Sequence, residues 1–187
     1  MPQQPALFLD RDGVFIENRA SYVRSWADVA FFPEALAALA RIREVPYKII
    51  VFTNQSAVGR GIMSLETAVS LNQRIVDEVG RGNGRIDATY LCPAAPGTND
   101  PCRKPRPGML LQAAQEHNLD LSHSIMIGDA LTDIQAGQAA GVQQAILLLT
   151  GRGAAQAQLP LAAELPPFAT FPTLAAALNH LFPEPPQ

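Results

Sequence analysis

The sequence predicts an α/β fold: a parallel sheet with helices covering both faces. Two observations predict it. Short apolar runs alternate along the chain with stretches of helical periodicity, the pattern of repeated βα units. No internal repeat or long linker interrupts that alternation, and 187 residues with 48% hydrophobic content suit one domain, 1–187, with a sizeable core.

The elements follow in order. Ala6-Leu7-Phe8-Leu9 is a short apolar run ending at Asp10. Leu36, Leu39 and Ile42 place a helix over 35–44, with Pro33 and Glu34 at its start. Tyr47 to Phe52 reads as a second buried strand that stops at Thr53. Ser64 is a good N-cap for a long helix towards Val79. Ile86 to Leu91 reads as a third strand, followed by a Pro- and Gly-rich loop from Cys92 to Pro107. Met109 to His117 is helical, with Pro107 near its first turn. Ser124 to Ile127 is a fourth strand running into Gly128-Asp129, and Leu131 to Ala140 is a helix closed by Gly141. Ala145 to Leu149 is a fifth strand, residues 154–167 read as irregular surface chain, and Thr173 opens a last helix through Leu181.

Composition narrows the function classes. A formal net charge of −3 gives no electrostatic case for nucleic acid or a membrane surface as partner. The first residues lack the basic and long apolar regions of a signal peptide, and no apolar run approaches the roughly 20 residues that span a bilayer. A cytoplasmic monomer acting on a small metabolite is the expectation. The two cysteines, Cys92 and Cys102, are too few for a disulfide framework, and in a cytosolic chain they would stay reduced.

Parallel sheets bind ligands beyond the carboxyl ends of their strands. Asp10, Thr53 and Asp129 each stand at such an end, so three separated segments converge on one crevice. Asp10-Arg11-Asp12-Gly13 alone is equally a turn sequence. Gly128-Asp129-Ala130-Leu131-Thr132-Asp133 changes its meaning: Asp133 suits a helix first turn, but the helix dipole does not explain why Asp129 ends a strand beside the first acidic pair. Clustered carboxylates are costly unless a cation neutralises them, and a hard divalent ion with oxygen ligands, Mg²⁺, fits. Thr53-Asn54-Gln55-Ser56 offers hydroxyl and amide donors for phosphate oxygens, and is by itself also a capped turn. Arg103-Lys104 adds fixed positive charge, which by itself is also an ordinary solvated pair. Together these groups fit phosphoryl transfer to a carboxylate, with Asp10 as nucleophile. Asp12 would give a proton to the leaving alcohol and then activate water, which requires it to hold that proton more tightly than a free acid does.

The ordered set Asp10-x-Asp12, Thr53, Lys104 and Asp129-x-x-x-Asp133 resembles the four motifs of haloacid dehalogenase-like phosphatases, over about Phe8 to Gly151. Leu9-Asp10-Arg11-Asp12-Gly13, Thr53-Asn54-Gln55-Ser56 with Arg60-Gly61, and Cys102-Arg103-Lys104-Pro105-x-Pro107-Gly108-Met109 make it similar to the branch that dephosphorylates histidinol phosphate and D-glycero-D-manno-heptose 1,7-bisphosphate. The resemblance implies a three-layer Rossmann-like fold without a large cap domain. It implies Mg²⁺ held by the carboxylates of Asp10 and Asp129 and the backbone carbonyl of Asp12, with Asp133 in support behind them. It implies that Thr53 and Lys104, with Asn54 beside them, hold the transferring phosphoryl group, that Arg60 and Arg103 reach the rest of a phosphorylated sugar, and that Tyr22-Val23 borders the mouth.

Two departures stand out. Relatives often bind structural Zn²⁺ through a Cys-x-His and a Cys-x-Cys pair, whereas here the positions read Cys92-Pro93-Ala94 and Asp100-Pro101-Cys102. A closed site wants four ligands and only Cys92 and Cys102 remain, so structural Zn²⁺ is not expected. Ala130 stands where heptose-type relatives often carry Lys. The expected reaction is removal of the 7-phosphate of the heptose bisphosphate, with histidinol phosphate as the other substrate. A receiver-like phosphoacceptor domain uses similar groups, but its acceptor would follow the third strand, which here ends at Cys92 with no Asp before Asp100.

Overall fold

The computed structural model describes residues 3–183. Strands β1 (Ala6–Leu9), β2 (Lys48–Asn54), β3 (Ala88–Cys92), β4 (Ile125–Gly128), β5 (Gln144–Leu148) and β6 (Ala169–Phe171) form one sheet in the order β3-β2-β1-β4-β5-β6. Every neighbouring pair is parallel, with Leu9 opposite Val51 on one side and Ile127 on the other. This is the α/β three-layer arrangement that the sequence predicts.

The strands are apolar throughout because both faces are covered, and their side chains divide with period two. Leu7, Leu9, Ile49, Val51, Ile125 and Ile127 point to one face. They meet α1 (Pro33–Arg41), α3 (Leu65–Arg81) and α8 (Leu174–Leu181) through Leu39, Ile75 and Leu178. Ala6, Phe8, Ile50, Phe52 and Met126 point to the other, against Met109, Leu110 and Ala113 of α4 (Gly108–His117) and Ala136 of α5 (Leu131–Ala140). Phe8 and Phe52 meet edge to face, with centroids 6.1 Å apart.

The chain runs outward from β1 to β2 and β3, then crosses back to place β4 on the opposite side of β1. The direction of winding reverses between β1 and β4. The crevice opens at their carboxyl ends, where Asp10 and Asp129 stand.

Several expectations are corrected. Residues 154–167 are only partly irregular: α6 (Gly153–Gln156) and α7 (Pro160–Glu164) stand in the segment, with 157–159 and 165–167 outside them. A further short helix, α2 (Ser56–Gly59), follows β2, and β6 is an unpredicted sixth strand. The first helix stops at Arg41, and β3 starts at Ala88 rather than Ile86. At that point Asp87 grips Ile49 twice: its backbone N–H donates to the Ile49 carbonyl and its carboxylate accepts the Ile49 N–H, each at 2.7 Å.

Ser64 caps α3 as expected, its Oγ accepting the Thr67 N–H at 3.0 Å. Ser64→Ala leaves that donor to water alone and should lower folding stability by about 1 kcal/mol. Urea unfolding reads this as a shift in midpoint with unchanged slope.

Candidate active site

The β1 ladder runs one residue beyond the strand: the Asp10 N–H donates to the Ile127 carbonyl at 2.9 Å. The chain then turns tightly. The Arg11 carbonyl accepts from the backbone N–H groups of Phe15 and Ile16, and Gly13 N–H donates to the Ile16 carbonyl at 2.6 Å. Gly13 has φ +84°, and a Cβ there would lie 2.2 Å from Asp129 Oδ2, so only glycine lets this turn sit against β4's end. Thr150 Oγ1 donates to the Gly13 carbonyl at 2.6 Å and ties the turn to the end of β5.

Lys104 lies at the centre, with a side chain only 3% exposed. Its Nζ stands 2.9 Å from Asp10 Oδ1 and 2.7 Å from Asp133 Oδ1. Burial works against its charge, but Asp10 and Asp133 together outweigh burial and hold its pKa above the ordinary value. Asp133 Oδ2 accepts the Ala130 N–H at 3.0 Å, so one carboxylate both caps α5 and holds the lysine.

Asp129 is fully buried and its partner is Arg152, which the sequence reading misses. Arg152 Nη2 lies 3.0 Å from Asp129 Oδ1, and the Arg152 backbone N–H donates to Oδ2 at 2.9 Å. A signal was present: Gly151-Arg152 follows β5, which places a cation at another strand end.

The oxygen donors suit a hard divalent ion. Carboxylate oxygens of Asp10, Asp129 and Asp133 all lie within 4.8 Å of one another, and all three residues are buried. Asn18 Oδ1 is buried without a hydrogen-bond partner. A Cβ on Gly151 would fall 2.2 Å from that Oδ1 and 2.4 Å from Asp129 Oδ2, so the two oxygens face one small cradle. Both Asp133 oxygens are engaged, Oδ1 by Lys104 and Oδ2 by the Ala130 N–H, so the carboxylates that could hold Mg²⁺ are those of Asp10 and Asp129.

The remaining expected residues divide. Asp12 takes Arg11 Nη2 on both oxygens, at 2.9 and 3.1 Å, and also accepts from Gln55 Nε2 at 3.3 Å. Thr53 is fully buried, with its Oγ1 accepting from Gln55 Nε2 at 2.8 Å. Asn54 lines the cleft, but its amide is spent on Lys104: Nδ2 donates to the Lys104 carbonyl and Oδ1 accepts the Lys104 N–H, each at 3.2 Å. Arg103 also lines the cleft and donates to Ser56 Oγ and the Ala94 carbonyl, both at 2.8 Å. Burial and then the charge of Arg60 hold the Arg103 pKa below its ordinary value. Arg60 itself is exposed and is not among the lining residues, so it acts on Arg103 from outside. Tyr22 and Val23 border the mouth as expected, around a cleft of about 470 Å³.

The cysteines correct the expectation that they stay reduced. Cys92 and Cys102 are joined in a disulfide, with Cα atoms 5.5 Å apart. The pair ties the end of β3 to the loop just before Arg103-Lys104.

Burial, then the charge of Asp10, raises the Asp129 pKa, with Arg152 opposing. Burial raises that of Asp133 from 3.8 to about 7, with Lys104 opposing and Asp10 and Asp129 adding to the rise. The folded, metal-free protein therefore holds protons that the unfolded chain has released. Stability should fall as pH rises from about 4 to about 7, because the native state binds more protons across that window. Saturating Mg²⁺ should flatten the decline. Urea midpoints measured across that range with chelator and with Mg²⁺ check both statements.

Comparison with known proteins places these residues in a family. Residues 101–177 match the HAD-hydrolase-like family model. D-glycero-beta-D-manno-heptose-1,7-bisphosphate 7-phosphatase of Helicobacter pylori is 38% identical over 80% of this chain and 86% of its own length. The Vibrio cholerae protein of the same name is 38% identical over 80% and 83%. The crystal structure of D,D-heptose 1,7-bisphosphate phosphatase from B. bronchiseptica, complexed with magnesium and phosphate, superposes with a TM-score of 0.86. It is 31% identical and covers 95% of this chain, matching over 97% of its own. The chain therefore belongs to the heptose-1,7-bisphosphate 7-phosphatase family of haloacid dehalogenase-like hydrolases.

Proposed function

We propose that this protein removes the 7-phosphate of D-glycero-β-D-manno-heptose 1,7-bisphosphate through an aspartyl phosphate on Asp10. One observation carries the mechanism: the Lys104 ammonium bridges Asp10 and Asp133 in a buried crevice that also holds Asp129. The substrate rests on the relatives' activity and on a cleft lined by Arg19, Arg103 and Arg152, which suits a ligand carrying a second phosphate. Every group in the scheme comes from one chain, read as one catalytic unit over residues 1–187, a monomer in the cytoplasm.

Asp10 attacks phosphorus in line with the sugar oxygen, and the P–O bond to the sugar breaks as the Asp10–phosphorus bond forms. Lys104 keeps the attacking carboxylate oriented and offsets charge on the phosphoryl oxygens. Asp12, at the mouth with a side chain 21% exposed, gives its proton to the departing alkoxide and later takes one from the water that cleaves the intermediate. Thr53 and Gln55 orient the Asp12 carboxyl, and Asn54 fixes the Lys104 backbone. Mg²⁺, when held by Asp10, Asp129 and the Asp12 carbonyl, supplies positive charge beside the transferring group.

Asp10→Asn should lower kcat by on the order of 10³-fold or more while the protein still folds. Phosphate release at the wild-type rate from that variant would remove the nucleophile assignment. Wild-type kcat/KM for the heptose bisphosphate should exceed that for histidinol phosphate by at least about tenfold. The reverse ranking would overturn the substrate.

A further inference from the structure

We infer that Arg152 is an internal counter-ion which Mg²⁺ must displace from Asp129, and that the displaced guanidinium then serves the substrate's phosphate. The second half rests on the phosphatase reading, whereas the first concerns Mg²⁺ alone.

Three buried carboxylates, Asp10, Asp129 and Asp133, share one crevice with two cations. Lys104 is fixed between two of the acids and enclosed. Arg152 is different. Its side chain is 57% exposed, while its guanidinium covers both oxygens of Asp129, Nη2 at 3.0 Å from Oδ1 and Nε at 3.3 Å from Oδ2. The guanidinium and the Arg152 N–H together take three of the roughly four lone-pair sites of this carboxylate, and the guanidinium charge opposes a dication bound at about 2.1 Å to the same group.

The backbone beneath the side chain is fixed. Gly151 takes φ +55° against Asp129, and a Cβ on Gly153 would lie 1.6 Å from the Leu148 carbonyl oxygen. The Arg152 N–H to Asp129 Oδ2 contact is a main-chain bond that does not depend on the side chain. Only the exposed guanidinium is free to swing, and the cleft it lines is shared with Arg19 and Arg103. Metal loading would thus uncover the Asp129 carboxylate and deliver a further arginine to an anion in one move.

Calorimetric titration of Mg²⁺ into metal-free wild type, Arg152→Ala and Arg152→Gln tests the first half. Both variants should bind Mg²⁺ more tightly, on the order of three- to tenfold. Unchanged or weakened Mg²⁺ binding overturns the proposal. Orthophosphate titrated into the Mg²⁺-saturated proteins should bind the variants more weakly by a similar factor, and unchanged phosphate affinity overturns the second half. A merely structural arginine would weaken both ligands together, so the opposite signs are the signature. Should both variants fail to fold, Arg152→Lys, which keeps the charge but loses the two-point contact, should show the same opposite signs at smaller size. Absence of heptose bisphosphate hydrolysis would remove the substrate and leave the Mg²⁺ titration standing.

Discussion

The buried ammonium of Lys104 is the constraint on which the site depends. A lysine with 3% exposure is tolerable only with carboxylates in contact, because burying an unpaired charge costs several kcal/mol. Asp10 comes from the end of β1, Asp133 from the first turn of α5, and Lys104 from the loop before α4. The pairing therefore acts across three separate segments of sequence. Its remaining contacts are aimed the same way: the Phe52 carbonyl lies 3.4 Å from Nζ, and the Phe52 ring centroid lies 4.6 Å away. Removing Lys104 leaves two buried acids without their shared cation, whereas removing either acid leaves the ammonium the other, so the lysine is the point where folding and chemistry are coupled.

Close approach of backbone is the second requirement. Gly128 ends β4, and a Cβ there would lie 2.2 Å from Asp133 Oδ2. Gly13 and Gly151 leave the same kind of space around Asp129 and Asn18. These glycines let carboxylates from different elements stand closer than side chains on an ordinary strand end would allow. Burial first, and then the charge of the neighbouring acids, raises the pKa of Asp129 and Asp133, and that is the cost a bound cation relieves.

Much of this was legible in the sequence, for a physical reason. Asp10 and Asp129 end apolar runs, and in a parallel sheet those ends face the ligand crevice whatever the loops do. Lys104 was legible through its motif. What side chains do after arriving was less legible. Thr53 stands at the right strand end, yet its hydroxyl is enclosed by Gln55; Asn54 spends its amide on the Lys104 backbone; Arg60 stays outside the cleft. Spacing gives position along the chain, not rotamer. Arg152 is not legible, because a lone cation in a Gly-rich turn carries no period. The three residues of β6 and the four of α6 are too short for periodicity to register. The cysteine pairing is not legible either, because ten residues of sequence separation say nothing of a loop that returns to 5.5 Å.

That returning loop shows how Lys104 is held from outside the crevice. Residues 93–101 leave the end of β3 and must deliver Arg103 and Lys104 back to the ends of β1 and β2. A long irregular segment would leave Lys104 poorly placed. Three restraints prevent it: the reciprocal Asn54 bonds on the Lys104 main chain, the Arg103 bonds to Ser56 and Ala94, and the Cys92–Cys102 bond. Closing a loop of this size removes about 3 kcal/mol of chain entropy from the unfolded state. The first grips the Lys104 main chain, the second ties the neighbouring residue down through its guanidinium, and the third fixes where the loop begins and ends. Positioning of Lys104 is thus shared between a buried charge pairing at its tip and a pinned main chain at its base. Of the two, the pinned base is the one that would let the ammonium trade Asp10 for a phosphoryl oxygen without moving the loop, as the proposed mechanism requires.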